Sequence, residues 1–181
     1  QFANAIEPYD VLFLEEPVQP DDLEGLEVLR AAAPQMDLAA GERLFSKWDF
    51  RPVPEKRLVD IIQPDLCHAG GLSEVKKIAA LAEAYYVLVA PHNPQGPVST
   101  AASAHLALAI PNFLTLEYVR QEPFRDQALR EAWVVDKGCL QVPERPGLGV
   151  DLDEGALLAS PMRKRSGPVD CYAADGSVRD V

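Results

Sequence analysis

The chain has 181 residues with 48% hydrophobic content, which suffices for one sizeable core and is short for two ordinary domains. Its formal charge of -11, from 17 Lys and Arg against 28 Asp and Glu, argues against a nucleic-acid or anionic membrane surface, because both require a basic patch. The three cysteines match neither a disulfide framework nor a zinc spacing, and no apolar stretch is long enough to span a membrane, so a reducing cytoplasm is the simplest expectation.

The most informative pattern is a short apolar run that ends in an ionisable residue and is followed by turn residues and a helical stretch. The pattern recurs roughly every 25 residues. Its five runs end at Glu15, Glu42, Asp65, His92 and Glu117. Apolar runs without strict alternation are typical of strands that are buried on both faces of a parallel sheet. The sequence therefore predicts five parallel strands.

The spacers between these runs have helical periodicity. Helices are predicted over residues 21–33, 46–57, 73–85 and 97–110. Asp21 and Ser73 are candidate N-caps, and Pro97 is tolerated in a first turn. The second helix should be weaker, because Pro52 and Pro54 interrupt helical hydrogen bonding.

Five β/α units suggest either a doubly wound sheet or part of a (β/α)8 barrel. The barrel is favoured because every run ends in a polar residue and no GxGxxG turn follows a strand. We expect residues 1–118 to form the barrel part. Residues 119–181 should form a C-terminal extension with two short extended stretches around a Pro and Gly turn, packing on the barrel or on a domain outside this chain.

Two of the strand-end carboxylates are candidate metal ligands. Strand ends on one barrel face converge, so the five ionisable residues should line one pocket. Glu15 and Glu42 follow neighbouring strands, and ligation by carboxylate oxygens favours Mg2+ or Mn2+ over zinc. Glu16 should point away from the pocket if strand alternation holds. Taken singly, each Glu could simply cap a strand or pair with a nearby Lys, whereas the even spacing of the whole set favours a site.

His92 is the candidate general base. Asp65, at the end of the preceding strand, can hold one ring nitrogen of His92, and Glu117 on the last strand would face a developing enediolate, most usefully if it carries a proton. These roles indicate proton abstraction from a carbon beside a metal-bound carboxylate. Three residues beside the strand ends are candidate substrate-binding residues: Arg43, His68 and Asn93. His68 could equally be a loop residue, and His105 is expected on a packed helix.

Five segments resemble the mandelate racemase subgroup of the enolase superfamily, and most of all its galactonate-type sugar-acid dehydratases. The segments are FLEEPV, AAGERLF, VDIIQPDLCHAGGLSEVKKIAALAEAY, LVAPHNPQGP and LTLEY, and the resemblance runs from about residue 6 to 150. It implies the C-terminal part of an incomplete (β/α)7β barrel. Carried over residue by residue, it makes Glu15 and Glu42 magnesium ligands, His92 the base, Asp65 its partner and Glu117 the enediolate stabiliser.

The resemblance also implies an activity. A member of this subgroup would take a small sugar acid, remove the proton alpha to the carboxylate and eliminate the beta-hydroxyl to give a 2-keto-3-deoxy acid. A racemase or epimerase is the runner-up, because it starts from the same enediolate, and a noncatalytic remnant is a third possibility. A homo-oligomer is expected for the full-length protein.

Parts of the family pattern should lie outside this chain. These are a third metal ligand, an Asp on the strand before Glu15, a second histidine close to it, the first three barrel strands and an N-terminal capping domain. The first residues, QFANAIEPYD, are typical of the tail of a helix already under way. We therefore expect the chain to be a C-terminal fragment that is inactive by itself.

Overall fold

The computed structural model describes residues 1–119 and 127–160 of the chain. The first part contains the parallel strands β1 (Leu14–Glu15), β2 (Leu38–Ala40), β3 (Ile61–Ile62) and β4 (Leu88–Val89). The helices of this part are α1 (Phe2–Ile6), a 3-10 turn (Glu7–Tyr9), α2 (Leu23–Ala32), α3 (Lys47–Phe50), α4 (Pro52–Glu55), α5 (Gly71–Glu83) and α6 (Pro97–Leu108). The second part contains β5 (Val135–Asp136), β6 (Cys139–Leu140) and α7 (Glu154–Ala159).

The strands form one parallel sheet in the order β1-β2-β3-β4, with helices between them. In the middle of the sheet Ala39 lies opposite Ile61. The fifth predicted strand is reduced to a parallel bridge between Val89 and Phe113, beside which the Leu114 N–H donates to the Val89 carbonyl at 2.9 Å. The β/α repeat is therefore confirmed, whereas the expectation of a full fifth strand is wrong.

The strands are much shorter than the apolar runs that predict them. Glu15 lies within its strand, β1. Glu42, Asp65 and His92 lie two or three residues beyond the ends of their strands. Pro64 and Pro91 stand just before two of these residues, and a proline has no N–H to donate to a strand ladder. The polar side chains consequently lie on the loops at the carboxyl edge of the sheet.

Two predicted helix starts shift by one or a few residues. Asp22 rather than Asp21 caps α2, because its side chain accepts a hydrogen bond from the Gly25 N–H at 2.7 Å. Helix α5 begins before the expected cap Ser73, after Gly70, whose φ of 88° lies in the left-handed region that favours glycine. Each of these two helices still covers most of its predicted range, with ends shifted by one or two residues.

The proline positions behave as expected. Pro97 occupies the first turn of α6. Residues 46–57 fold as two short helices, α3 and α4, and Pro52 begins the second of them. Proline is acceptable there because the first helical N–H groups have no intrahelical partner.

The hydrophobic core lies between the sheet and its helices. Its fully buried large side chains include Phe50, Leu38, Leu58, Ile62 and Ile78. A separate small cluster of Ala39, Ile61 and Ala90 occupies the opposite face of the sheet. Neighbouring residues such as Ile61 and Ile62 belong to different clusters because successive side chains of a strand point to opposite faces. The sheet is therefore covered by helices on one face and carries a small apolar cluster on the other.

The described part of the C-terminal extension contains a two-stranded antiparallel hairpin of β5 and β6. Its turn is at Lys137 and Gly138, with φ values of 49° and 81°, and not at the predicted Pro and Gly turn. His105 on α6 donates from Nε2 to the Leu148 carbonyl at 3.2 Å, which ties the extension to the barrel part. Residues 120–126 and 161–181 lie outside the described residues, and the predicted domain boundary at residue 118 stays a prediction. Within the two described ranges, no helix has the length and apolar character needed to cross a membrane.

Candidate active site

Asp65 and His92 are in direct contact. The Asp65 side chain is fully buried, and its Oδ2 lies 2.8 Å from His92 Nδ1. A carboxylate can only accept, so the ring nitrogen donates in this hydrogen bond. The neutral imidazole then carries its free lone pair on Nε2. The two loops that follow β3 and β4 thus fix both the orientation and the tautomer of the ring.

The other Asp65 contacts hold the carboxylate itself. Its Oδ1 accepts from the backbone N–H groups of Cys67 at 2.7 Å and His68 at 3.3 Å. Its Oδ2 accepts from Gln95 Nε2 in addition to His92. Four donors match the roughly four lone-pair positions of a carboxylate. The buried Asp65 charge is therefore fully hydrogen-bonded, which is what burial of a charge requires.

The free nitrogen of His92 faces two carboxylates. Nε2 lies 3.3 Å from Glu42 Oε2 and 4.0 Å from Glu117 Oε2. The His92 side chain is 15% exposed, whereas that of Glu117 is 42% exposed. Nε2 therefore faces acidic side chains at the carboxyl edge of the sheet, and Glu117 among them is partly open to solvent.

Asn93 holds Glu117 in place. The Asn93 backbone N–H donates to Glu117 Oε2 at 2.8 Å, and its side-chain amide donates to the Glu117 carbonyl at 3.0 Å. The same amide donates to Thr100 Oγ1 at 3.1 Å, and the residue is fully buried. The structure thus uses the Asn93 side chain for internal hydrogen bonds, and its substrate-binding role stays a prediction.

Glu15 lies at the end of β1, on the strand next to the one that precedes Glu42. Gln63 Nε2 donates to Glu15 Oε1 at 2.9 Å, and Gln63 is only 6% exposed. Glu16 leaves extended geometry with a φ of 37°, so strand alternation does not govern its direction as expected. Burial raises the pKa of Glu16, and the nearby negative charge of Glu42 raises this pKa further.

The donor chemistry at this edge fits a hard cation in part. Glu15 and Glu42 offer carboxylate oxygens, the ligands that Mg2+ prefers in proteins. Within residues 1–119 and 127–160, no group of three or more His, Cys, Asp and Glu side chains could hold a metal ion. The described residues therefore supply two ligands at most, and further ligands would have to come from substrate, water or another part of the protein.

The remaining predicted substrate residues lie at the rim. Arg43 Nε is 3.8 Å from Glu42 Oε1, and the Arg43 side chain is 41% exposed. His68 is 46% exposed, its Nδ1 lies 3.8 Å from Asp65 Oδ2, and its ring centroid is 6.0 Å from that of Phe45. Both side chains are thus placed beside the pocket, and their contact with substrate stays a prediction.

Two residues that position side chains of the site were not predicted from the sequence. Gln63 contacts a predicted metal ligand, and Gln95 contacts the partner of the predicted base. Neutral amides do not stand out in a search for ionisable groups. Their position in the sequence could have indicated them, because each glutamine is next to a proline close to a strand-end residue, in the segments QPD and NPQGP.

Comparison with known proteins gives consistent matches. The enolase C-terminal domain-like family model matches residues 1–156. The chain is 41% identical to D-xylonate dehydratase of Haloferax volcanii, covering 88% of this chain and 39% of the relative. It is 42% identical to D-galactonate dehydratase of Ralstonia pickettii, covering 84% of this chain and 42% of the relative. An enolase of Agrobacterium radiobacter, solved with Na and L-malate bound, matches with a TM-score of 0.83 and 36% identity over 97% of this chain and 48% of that one.

The chain belongs to the enolase C-terminal domain-like family. The predicted membership of the enolase superfamily and the likeness to galactonate dehydratase are confirmed. The fold class is confirmed as well, as the C-terminal part of a (β/α)7β barrel that is incomplete within this chain. The chain spans 39% and 42% of the lengths of the two curated relatives.

Proposed function

We propose that this chain contributes the general base and the residues around it to the active site of a magnesium-dependent sugar-acid dehydratase. The observation that carries the proposal is the contact between buried Asp65 and His92 Nδ1, which leaves His92 Nε2 facing Glu42 and Glu117 at the carboxyl edge of the sheet. The similarity to dehydratases of D-xylonate and D-galactonate supports the substrate class. The substrate is then a small polyhydroxy acid.

In this proposal His92 Nε2 takes the proton alpha to the substrate carboxylate. The C–H bond breaks, its electron pair is delocalised into the carboxylate to give an enediolate, and the proton remains on the ring. Asp65 accepts the Nδ1–H bond throughout and stabilises the imidazolium that forms. Glu117, held by Asn93, faces the pocket and would hydrogen-bond to the enediolate if protonated. The beta-hydroxyl then leaves as water after protonation by an acid outside this chain, and the resulting enol gains a proton at C3 and loses its hydroxyl proton to give the 2-keto-3-deoxy product.

Glu15 and Glu42 are the proposed ligands of Mg2+, with Mn2+ as a possible substitute. A bound Mg2+ supplies positive charge that favours formation of an enediolate. Gln63 holds Glu15 through a hydrogen bond of 2.9 Å, and Glu42 Oε2 lies 3.3 Å from His92 Nε2, so both proposed ligands lie close to the base or to a side chain that orients them. A cytoplasmic location and a homo-oligomeric full-length enzyme remain part of the proposal.

The test is a product assay on the full-length enzyme. D-galactonate, D-xylonate and other sugar acids are incubated with Mg2+ and assayed for 2-keto-3-deoxy acid, with a chelator-treated sample as control. We expect product from at least one acid, loss of activity with chelator and recovery on adding Mg2+. We expect no turnover from residues 1–181 alone. Exchange of the alpha proton without water loss would instead identify a racemase or epimerase. If neither exchange nor product is detected, the proposal is rejected.

A further inference from the structure

Gln95 lies between the active-site pair and the start of helix α6. It belongs to the loop that connects β4 to α6, one residue before Gly96, the N-cap position of α6. Its Nε2 donates to Asp65 Oδ2, the same oxygen that accepts from His92 Nδ1. The assignment of the amide is fixed by its partner, because the amide oxygen would face a carboxylate oxygen in the opposite orientation.

The two sides of the Asp65 carboxylate are held differently. Oδ1 is fixed by backbone N–H groups of its own loop. Oδ2, which orients the base, accepts hydrogen bonds from His92 and Gln95. Without Gln95, one lone pair of a fully buried carboxylate would lack a donor, and His92 alone would hold Oδ2.

His68 offers a competing partner for that lone pair. Its ring Nδ1 lies 3.8 Å from Asp65 Oδ2, beyond hydrogen-bond distance, and the side chain is 46% exposed. A small movement of this ring would bring a second imidazole to Asp65. In the structure Oδ2 accepts hydrogen bonds from Gln95 and from His92, so that His92 is the histidine hydrogen-bonded to Asp65.

The surroundings of Gln95 are mostly apolar. Gln95 lines a cavity together with side chains such as Leu66 and Val98, and the polar side chains of Cys67 and Ser99 on the same lining contact each other. Gln95 Oε1 is buried without a hydrogen-bond partner in the part of the chain that the structure describes. An orphaned amide oxygen costs free energy, which the hydrogen bond from Nε2 to a buried carboxylate offsets.

We propose that Gln95 is a positioning residue of the base: its amide N–H fixes the Asp65 carboxylate and thereby the orientation and tautomer of His92. The inference rests on the proposed function, in which His92 abstracts the substrate proton. It adds a residue outside the pocket whose loss should slow proton abstraction without weakening substrate binding.

The test uses Gln95→Leu and Gln95→Met in the full-length enzyme. The second variant keeps the approximate length of the side chain and removes the N–H donor without adding charge beside Asp65, so it serves where the first does not fold. Exchange of the alpha proton of D-galactonate and D-xylonate is followed in D2O. We expect kcat for exchange to fall about tenfold to a hundredfold, with KM within about twofold of wild type. Ser99→Ala is the matched control, because Ser99 lines the same cavity, contacts Cys67 Sγ and does not contact Asp65; its kcat should be unchanged.

A second readout needs no substrate. The 15N shifts of selectively labelled histidines report the tautomer of His92, which should be the Nδ1–H form in wild type and a mixture in the Gln95 variants. An unchanged tautomer, a kcat within about threefold of wild type, or a rise in KM alone would overturn the inference. Failure of the proposed function is recognised separately, by a His92→Asn variant that still exchanges the proton.

Discussion

Replacing Asn93 by Ala decides between a structural and a substrate-binding role for this residue. The Asn93 amide donates to the Glu117 carbonyl and to Thr100 Oγ1, and both bonds are lost in the variant. The Thr100 hydroxyl already lies 3.3 Å from the Gly96 carbonyl and can turn to it. The bond to the Glu117 carbonyl is lost as well, and each typical intramolecular hydrogen bond contributes about 0.5–1.5 kcal/mol. We therefore expect a loss of about 1–3 kcal/mol in the free energy of unfolding, increased by the small cavity that remains.

The assay is urea unfolding followed by tryptophan fluorescence, combined with steady-state kinetics on the full-length enzyme. Thr100→Ser is the matched control, because it keeps the hydroxyl that accepts from Asn93 and should lose much less stability. The backbone N–H of residue 93 still donates to Glu117 Oε2 in the variant, so KM should change little. Stability within about 0.5 kcal/mol of wild type together with a large rise in KM would refute this reasoning and assign Asn93 to substrate binding.

Two further substitutions test a close contact of Gly41 and the ion pairs of Glu74. Gly41→Ala should destabilise the protein by more than about 1 kcal/mol, because Gly41 has a φ of 138° and an added Cβ would lie 2.8 Å from Phe50 Cε1. An unchanged urea midpoint would contradict this expectation. Glu74→Gln should lower stability at neutral pH. Hydrogen bonds from Lys47 and Lys77 hold the pKa of Glu74 below its ordinary value, so its stabilising effect is present at neutral pH and is lost as the pH falls through the lowered pKa. The difference between wild type and variant should shrink on acidification and in high salt, and a difference that is constant with pH would reject the explanation.

The order of the elements could be predicted from the sequence because apolar runs and helical periodicity are local patterns. The lengths of the strands could not, because an apolar run continues beyond the last ladder hydrogen bond. Pro64 and Pro91 interrupt the ladder just before Asp65 and His92, and an apolar pattern alone does not indicate this effect. The sequence also does not decide between Asp21 and Asp22 as the cap of α2, because two adjacent aspartates are equally suitable caps.

The site was predictable to the extent that charge and position identify its members. The predicted contact between Asp65 and His92 is present in the structure, because parallel strands bring their carboxyl ends to one edge. The hydrogen bonds that position the pair depend on loop geometry, in which Gln63, Gln95 and the amide of Asn93 turn toward particular carboxylate or carbonyl oxygens. Residue type alone does not fix such directions.

The central claim is that His92 Nε2 removes the proton alpha to the substrate carboxylate. The most direct measurement is alpha-proton exchange in D2O by His92→Asn in the full-length enzyme with Mg2+, beside product formation from the same sugar acid. Both exchange and dehydration should be abolished, because Glu42 and Glu117, the side chains beside Nε2, are assigned to the metal and to the enediolate. Exchange or dehydration within about tenfold of wild type would contradict the claim.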